Sequence, residues 1–176
     1  MPRVDLPEIL LEIATRAGCM DAFTHLTERT ARAADLTISL CAMLLAEACN
    51  TGPKPFVRQD TPALQRDRLL WVDQNYARDE TLMAANAVLV AAQSRIVLAR
   101  TWGGGDVASA DGMRFVVPVR AIDAAPNPKC FDRGRGVTWY NLLSDQDTGL
   151  KAITVPGTLR DSLVLLAVVL EQQTEL

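Results

Sequence analysis

Aromatic side chains are scarce in this chain, 5% of 176 residues, and histidine occurs once, at His25. With no partner at a telling spacing, His25 reads as a helix-end or surface residue and leaves little for imidazole catalysis. Cationic charge is not in excess either: 18 Lys and Arg face 21 Asp and Glu, a formal net charge of −3. That balance argues against a free-standing nucleic-acid module, whose affinity comes from clustered Lys and Arg. Any DNA contact has to be local or supplied by other sequence. The four cysteines, Cys19, Cys41, Cys49 and Cys130, show no C-x-x-C spacing, which removes zinc-ribbon and thioredoxin-like readings and leaves reduced, mostly buried thiols as the expectation. No apolar run reaches the roughly 20 residues of a membrane helix. Residues 36–49 and 163–170 come nearest and are expected to be buried core helices. The opening Met1-Pro2-Arg3-Val4-Asp5 leads into Glu8 and Glu12, where a signal peptide would place an apolar stretch, so a cytoplasmic location and no membrane contact are expected.

Hydrophobic residues make up 49% of the chain, enough for one globular domain or one domain plus part of another. Up to about residue 100 the pattern is helical. Leu6, Ile9, Leu10 and Ile13 recur at helical spacing between Asp5, a candidate N-cap, and Gly18, a C-terminal stop. A second helix is predicted from Asp35, with Leu36, Leu40, Cys41, Leu44, Leu45 and Cys49 as a wide stripe closed by Asn50-Thr51-Gly52-Pro53. A third is predicted from Thr61-Pro62 through Leu64, Leu69, Leu70 and Val72, and a fourth from Asp79 to Leu98. Three glycines after Trp102 mark a joint. Beyond it, residues 115–119, 137–143 and 150–155 read as strands. Residues 124–128 and 133–136 read as loops, and Ser144-Asp145-Gln146-Asp147-Thr148-Gly149 as a hairpin turn. The last helix is predicted to open at Thr158 with a capping-box spacing to Asp161 and to be covered on more than one side, since it is apolar nearly all round. The fold class is therefore α/β. A helix after strands normally returns to a parallel strand and none remains, so the C-terminal portion reads as the opening of an α/β domain.

One carboxylate, Asp111, lies among Ser109, Ala110 and Gly112. Small neighbours let a metal or a backbone approach closely, while Asp-Gly is also a common turn dipeptide. Arg133-Gly134-Arg135-Gly136 could bring guanidinium groups and amides to phosphate in a flexible loop, or form a solvated turn. Trp139 and Tyr140 read as core.

Residues 102–105, 109–115, 134–141, 144–146 and 155–162 resemble the catalytic region of replicative DDE transposases of the Tn-three type. Residues 29–36 and 71–76 resemble the helical region that precedes it, so the resemblance covers nearly the whole chain. It implies a helical region over 1–104 and an incomplete RNase H-like domain over 105–176, with first strands and first helix. The implied chemistry is an acidic triad that grips two magnesium ions, nicks transposon ends and joins the freed 3′-hydroxyls to target DNA. Asp111 matches the first of those carboxylates, the catalytic and metal-binding position. Arg114, Arg133 and Arg135 are the DNA-contact candidates. The matching second Asp and the Glu lie further downstream than this chain reaches, and Cys130 stands where the family carries an aromatic. The chain is thus expected to be a transposase fragment inactive alone and holding no magnesium stably. The alternatives are a non-catalytic module that self-associates or docks on a full-length transposase, and a small metal hydrolase using Asp145 or Asp147 beside Asp111.

Overall fold

The computed structural model describes residues 4–28, 33–171 and 174, and the chain divides into two compact units, Met1–Leu89 and Val90–Leu176. Residues 29–32, part of the segment that carries the upstream resemblance, lie outside the described residues.

The first unit is helical. In α1 (Leu6–Ala17) the chain enters at Asp5 and stops at Gly18, whose φ of 72° is the left-handed conformation that glycine adopts without a Cβ penalty. Asp5 holds the cap position without a side-chain hydrogen bond. The predicted stripe is only partly correct: α1 buries Ala14, with Leu10 packed beside it, while Leu6 is 54% exposed and Ile13 is exposed too. Helix α2 (Leu36–Ala48) buries Leu36, Leu40, Met43 and Leu45 among others, because α1 on one side and α3 (Arg66–Tyr76) on another both pack on it.

The third predicted helix starts later than its proline suggests. Pro62–Leu64 forms a separate 3-10 turn, and Gln65 is extended at ψ 146°. The Ala63 carbonyl accepts the buried Ser39 hydroxyl at 2.8 Å, and the Leu64 carbonyl accepts the Arg58 amide at 3.0 Å. Both are the acceptors that a continuous helix would have used. Helix α4 (Asp79–Gln93) likewise stops before Leu98. Extended Ile96 separates it from α5 (Val97–Trp102), and the Ser94 hydroxyl bonds back to the Ala91 carbonyl at 3.0 Å.

His25 is more than a surface residue. Its ring lies 5.5 Å from Trp71 and 5.3 Å from Tyr76, and its Nδ1 accepts the amides of Thr27 and Glu28, each at 3.3 Å. Two of the four cysteines, Cys19 and Cys41, are buried; Cys49 and Cys130 are exposed, against expectation. Burial, with Cys19 beside it, pushes the Cys41 thiol up to about 11, and burial chiefly raises Cys19. Both stay protonated and unreactive at neutral pH.

The second unit is built on an antiparallel sheet. Strand β1 (Ala108–Val116) pairs with β3 (Arg135–Ser144), and β4 (Gly149–Pro156) pairs with the other edge of β3. The two-residue β2 (Ala125–Pro126) continues that second edge beyond the end of β4. β1 begins and ends earlier than the predicted run at 115–119, because Pro118 has no amide for the ladder and Val117 makes the last bond, to the Arg135 carbonyl at 2.9 Å. Helix α7 spans Leu165–Leu170. It opens seven residues after Thr158, where a turn closes from the Leu159 amide to the Pro156 carbonyl at 2.9 Å. The chain is confined there: a Cβ on Gly157 would lie 2.5 Å from the Gly136 carbonyl oxygen and 2.8 Å from the Phe131 ring. α7 buries Val168 against Tyr140, Leu142, Leu150 and Val155, whereas Leu163, Leu166 and Leu170 are exposed. The expectation of cover on more than one side does not hold among the described residues. Buried Lys151 ties the end of α7 to β4 through Glu171 Oε2 at 2.9 Å.

Burial separates two leucines that share helical spacing in the sequence pattern. Leu40→Ala is expected to cost about 2–5 kcal/mol by leaving a cavity in a filled core, and Leu6→Ala less than about 0.5 kcal/mol. Denaturant unfolding of the two variants checks this.

Candidate functional site

The site begins with the pleat of β3. Its even-numbered residues Gly136, Thr138, Tyr140 and Leu142 are buried, and Trp139 and Leu143 on the odd positions are exposed. In an antiparallel pair, directly opposite residues share a face. Asp111 is opposite Asn141, Met113 opposite Trp139 and Phe115 opposite Val137, so Asp111 stands on the exposed face of the sheet. The Asp-Gly turn alternative is thereby corrected: Asp111-Gly112 is mid-strand. The Asp111 Oδ1 accepts the Gly112 amide at 2.7 Å, which orients the carboxylate. Trp139 is 45% exposed beside it, so the core reading holds for Tyr140 and fails for Trp139. Period-two alternation was available in the sequence. Which parity faced the core was not.

Asn141 is the polar neighbour that sequence reasoning missed. Directly opposite side chains have Cβ atoms about 4.5–5.5 Å apart, which puts the Asn141 amide within reach of whatever the Asp111 carboxylate holds. Its signal is visible only once the register is known.

The three arginine candidates are not brought together. Arg114 is opposite Thr138 and therefore belongs to the other face of the sheet from Asp111. Arg135 shares the parity of Trp139 and Asn141, hence the Asp111 face, but lies six residues along β3 from Asn141, about 20 Å at strand rise. Arg133 precedes it. Only part of this segment is loop, since Arg135 and Gly136 open β3. Phe131 is buried and ends the short helix α6 (Pro128–Phe131), whose entry Asn127 caps by accepting the Lys129 amide at 3.2 Å. A Cβ on Gly136 would meet the Phe131 ring at 2.4 Å. The Gly134 amide closes on the Phe131 carbonyl at 2.7 Å, and the Asn127 amide nitrogen donates to the Gly157 carbonyl at 2.7 Å. Exposed Lys129, Arg133 and Arg135 are thus cations carried by a closely packed, hydrogen-bonded turn.

Neither Asp145 nor Asp147 joins Asp111. Ser144, at the end of β3, is opposite Ala108, three residues before Asp111, which places the hairpin about 10 Å away along the strands. Asp145 also has other work, accepting the Gly105 amide on Oδ1 at 2.9 Å. Among the described residues no three or more His, Cys, Asp or Glu come together as a metal site. A hard divalent cation needs several oxygen ligands, so these residues do not by themselves fit magnesium. The stand-alone metal hydrolase loses its second carboxylate.

An exposed carboxylate on the first strand of an antiparallel sheet, preceded by a helical unit, is the setting in which the family comparison falls. Residues 8–176 match the model of the Tn3 transposase DDE domain, and the chain belongs to that family. It is 58% identical over 176 residues, the whole of this chain, to the transposase for transposon gamma-delta of Escherichia coli K12. It is 50% identical over 172 residues to the transposase for transposon Tn4556 of Streptomyces fradiae, and 30% identical over 176 residues to that for transposon Tn1546 of Enterococcus faecium. The chain spans 18%, 19% and 18% of the lengths of these relatives. No helix among the described residues is long and apolar enough to cross a membrane.

Proposed function

We propose that this chain is the portion of a DNA transposase that supplies the first metal-binding carboxylate, Asp111, to a DDE catalytic centre. The carrying observation is the placement of Asp111 on the exposed face of β1, beside Asn141 and in a chain of this family. The sheet is read as the first part of an RNase H-like fold. The three long antiparallel strands β1, β3 and β4, followed by α7, agree with that order, and among the described residues the second edge of β1 carries no strand. The domains proposed are the helical region over 1–104 and the catalytic start over 105–176. Magnesium in such a centre would polarise the scissile phosphate and activate the attacking oxygen. Its remaining carboxylates would come from outside these 176 residues, and the isolated chain would neither hold the metal nor cleave DNA.

Arg133 and Arg135 are proposed to position DNA through its phosphates. The closely packed turn made by Phe131 and its glycines restrains their backbones, so little ordering entropy is lost on binding. Arg114, on the opposite face of the sheet, is not part of this contact.

A second reading, a non-catalytic module that associates with a full-length transposase or with itself, is favoured by the exposed apolar side chains Leu163, Leu166 and Leu170 of the last helical segment.

Exchanging this chain for the matching segment of the gamma-delta relative separates the two. The chimera is expected to transpose in cells, and its Asp111→Ala form to fall to background while accumulating to the same level. An Asp111→Ala chimera that transposes normally would remove the catalytic reading and leave the module. A second expectation concerns salt: in the same chimera Arg133→Ala and Arg135→Ala should each weaken end-DNA binding and lower the slope of log affinity against log salt by about 1. Fluorescence anisotropy across a salt series measures it.

A further inference from the structure

Burial sets the register of β1 on β3 only weakly: no residue of β1 is fully buried, and small Ala110, half-buried, packs against the core of Tyr140 and Leu142. Its first five residues, Ala108-Ser109-Ala110-Asp111-Gly112, are small or polar on both faces, the type of strand whose pairing is weakly specified. Backbone ladder bonds can be made by any residue and do not discriminate one pairing from the next. Yet a slip of one residue would turn Asp111 from the exposed face to the buried one.

Side chains of the β3–β4 hairpin grip the glycine joint that leads into β1. Asp145 Oδ1 accepts the Gly105 amide at 2.9 Å, and the Asp145 amide donates to the Val107 carbonyl at 2.9 Å. The Gln146 side-chain nitrogen donates to the Gly103 carbonyl at 3.0 Å. Gln146 is itself buried, and its carbonyl accepts the Gln93 side chain at 2.9 Å. The fit requires the glycines. A Cβ on Gly103 would lie 2.4 Å from the Asp145 carboxylate carbon, and Gly105 has a φ of +88°. The bonds from Asp145 Oδ1 and the Gln146 amide nitrogen use particular side chains at particular positions, so they cannot re-form one residue out of step.

We infer that Asp145 and Gln146 are positioning residues: together with the Gly103–Gly105 joint they form a clasp that fixes the register of β1 and so turns Asp111 to the exposed face. The significance for catalysis rests on the reading of Asp111 proposed above, whereas the clasp itself is measurable without metal or DNA.

Cross-strand nuclear Overhauser contacts in the isotope-labelled 176-residue chain read the register. The unaltered chain and Asp145→Asn, which keeps Oδ1 as an acceptor, should pair Asp111 with Asn141 and Met113 with Trp139. Asp145→Ala should lose those contacts while the β3–β4 pairing of Thr138 with Val155 persists, and amide exchange over 108–112 should quicken about tenfold relative to β4. An Asp145→Ala chain that keeps the Asp111–Asn141 pairing and its exchange rate overturns the inference, even if its thermal midpoint falls, since a merely structural role would move only the midpoint. Loss of the pairing in Asp145→Asn overturns it as well. Should Asp145→Ala not fold, Gln146→Ala carries the same measurement. Faster exchange over 108–112 supports the clasp, and an unchanged rate sinks it. An inactive Asp111 in the chimera leaves these outcomes as they stand.

Discussion

The second unit depends on one constraint: the pleat of a strand has period two, so the pairing of β1 with β3 decides which face every β1 side chain takes. Asp111 opposite Asn141 is a consequence of that pairing. A functional carboxylate is usually positioned by being packed around. Asp111 stands in the open, on a strand whose residues are at most half-buried, with Ala110 beside it packed on the core, so its placement is inherited from its neighbours. The glycine joint at one end and the Val117 amide on the Arg135 carbonyl at the other bracket the strand. The buried even positions of β3, packed with β4 and Val168 of α7, provide the fixed partner that β1 lacks within itself.

What the sequence made legible follows the reach of each signal. Local, stereochemical signals carried: Gly18 stops α1 with a left-handed backbone, α2 covers the predicted segment, and the residues around Asp147, at φ 59°, turn the β3–β4 hairpin. Signals that compete with distant groups misled. Pro62 looked like a helix start until the Ala63 and Leu64 carbonyls were taken by Ser39 and Arg58. Thr158 looked like a cap until the close packing of Gly157 placed a turn there. Periodicity located the apolar stripes but not their depth, so Ile13 and Leu166 read as core and are exposed. For the site, Asp111 was visible as an odd carboxylate among small residues. Its companion Asn141 and the separation of Arg114 from Arg135 were invisible, because both are facts of register.

Glycine carries two unrelated duties in this unit, and composition cannot tell them apart. Gly103 and Gly105 admit side chains of the hairpin and a left-handed backbone. Gly136 and Gly157 admit the Phe131 ring and close carbonyls. In a loop those residues suggest freedom, yet here they permit contact distances that a residue with a Cβ does not allow, and the result is close packing. The basic residues 129, 133 and 135 therefore sit on a more closely packed base than a glycine-rich sequence implies.

Charge and exposure then favour a division of labour within the sheet. One face of β3 is spent on packing, with Tyr140 and Leu142 against Leu150, Val155 and Val168. The other presents Asp111, Asn141 and the exposed Trp139 and Met113, with Arg135 at its far end. An apolar surface of this kind around a carboxylate lowers the local dielectric once something covers it, which strengthens any interaction the carboxylate makes. On the reading proposed, the exposed face is where the rest of a catalytic centre would close over Asp111. Its apolar side chains would then serve to exclude water from the place where the charge is used.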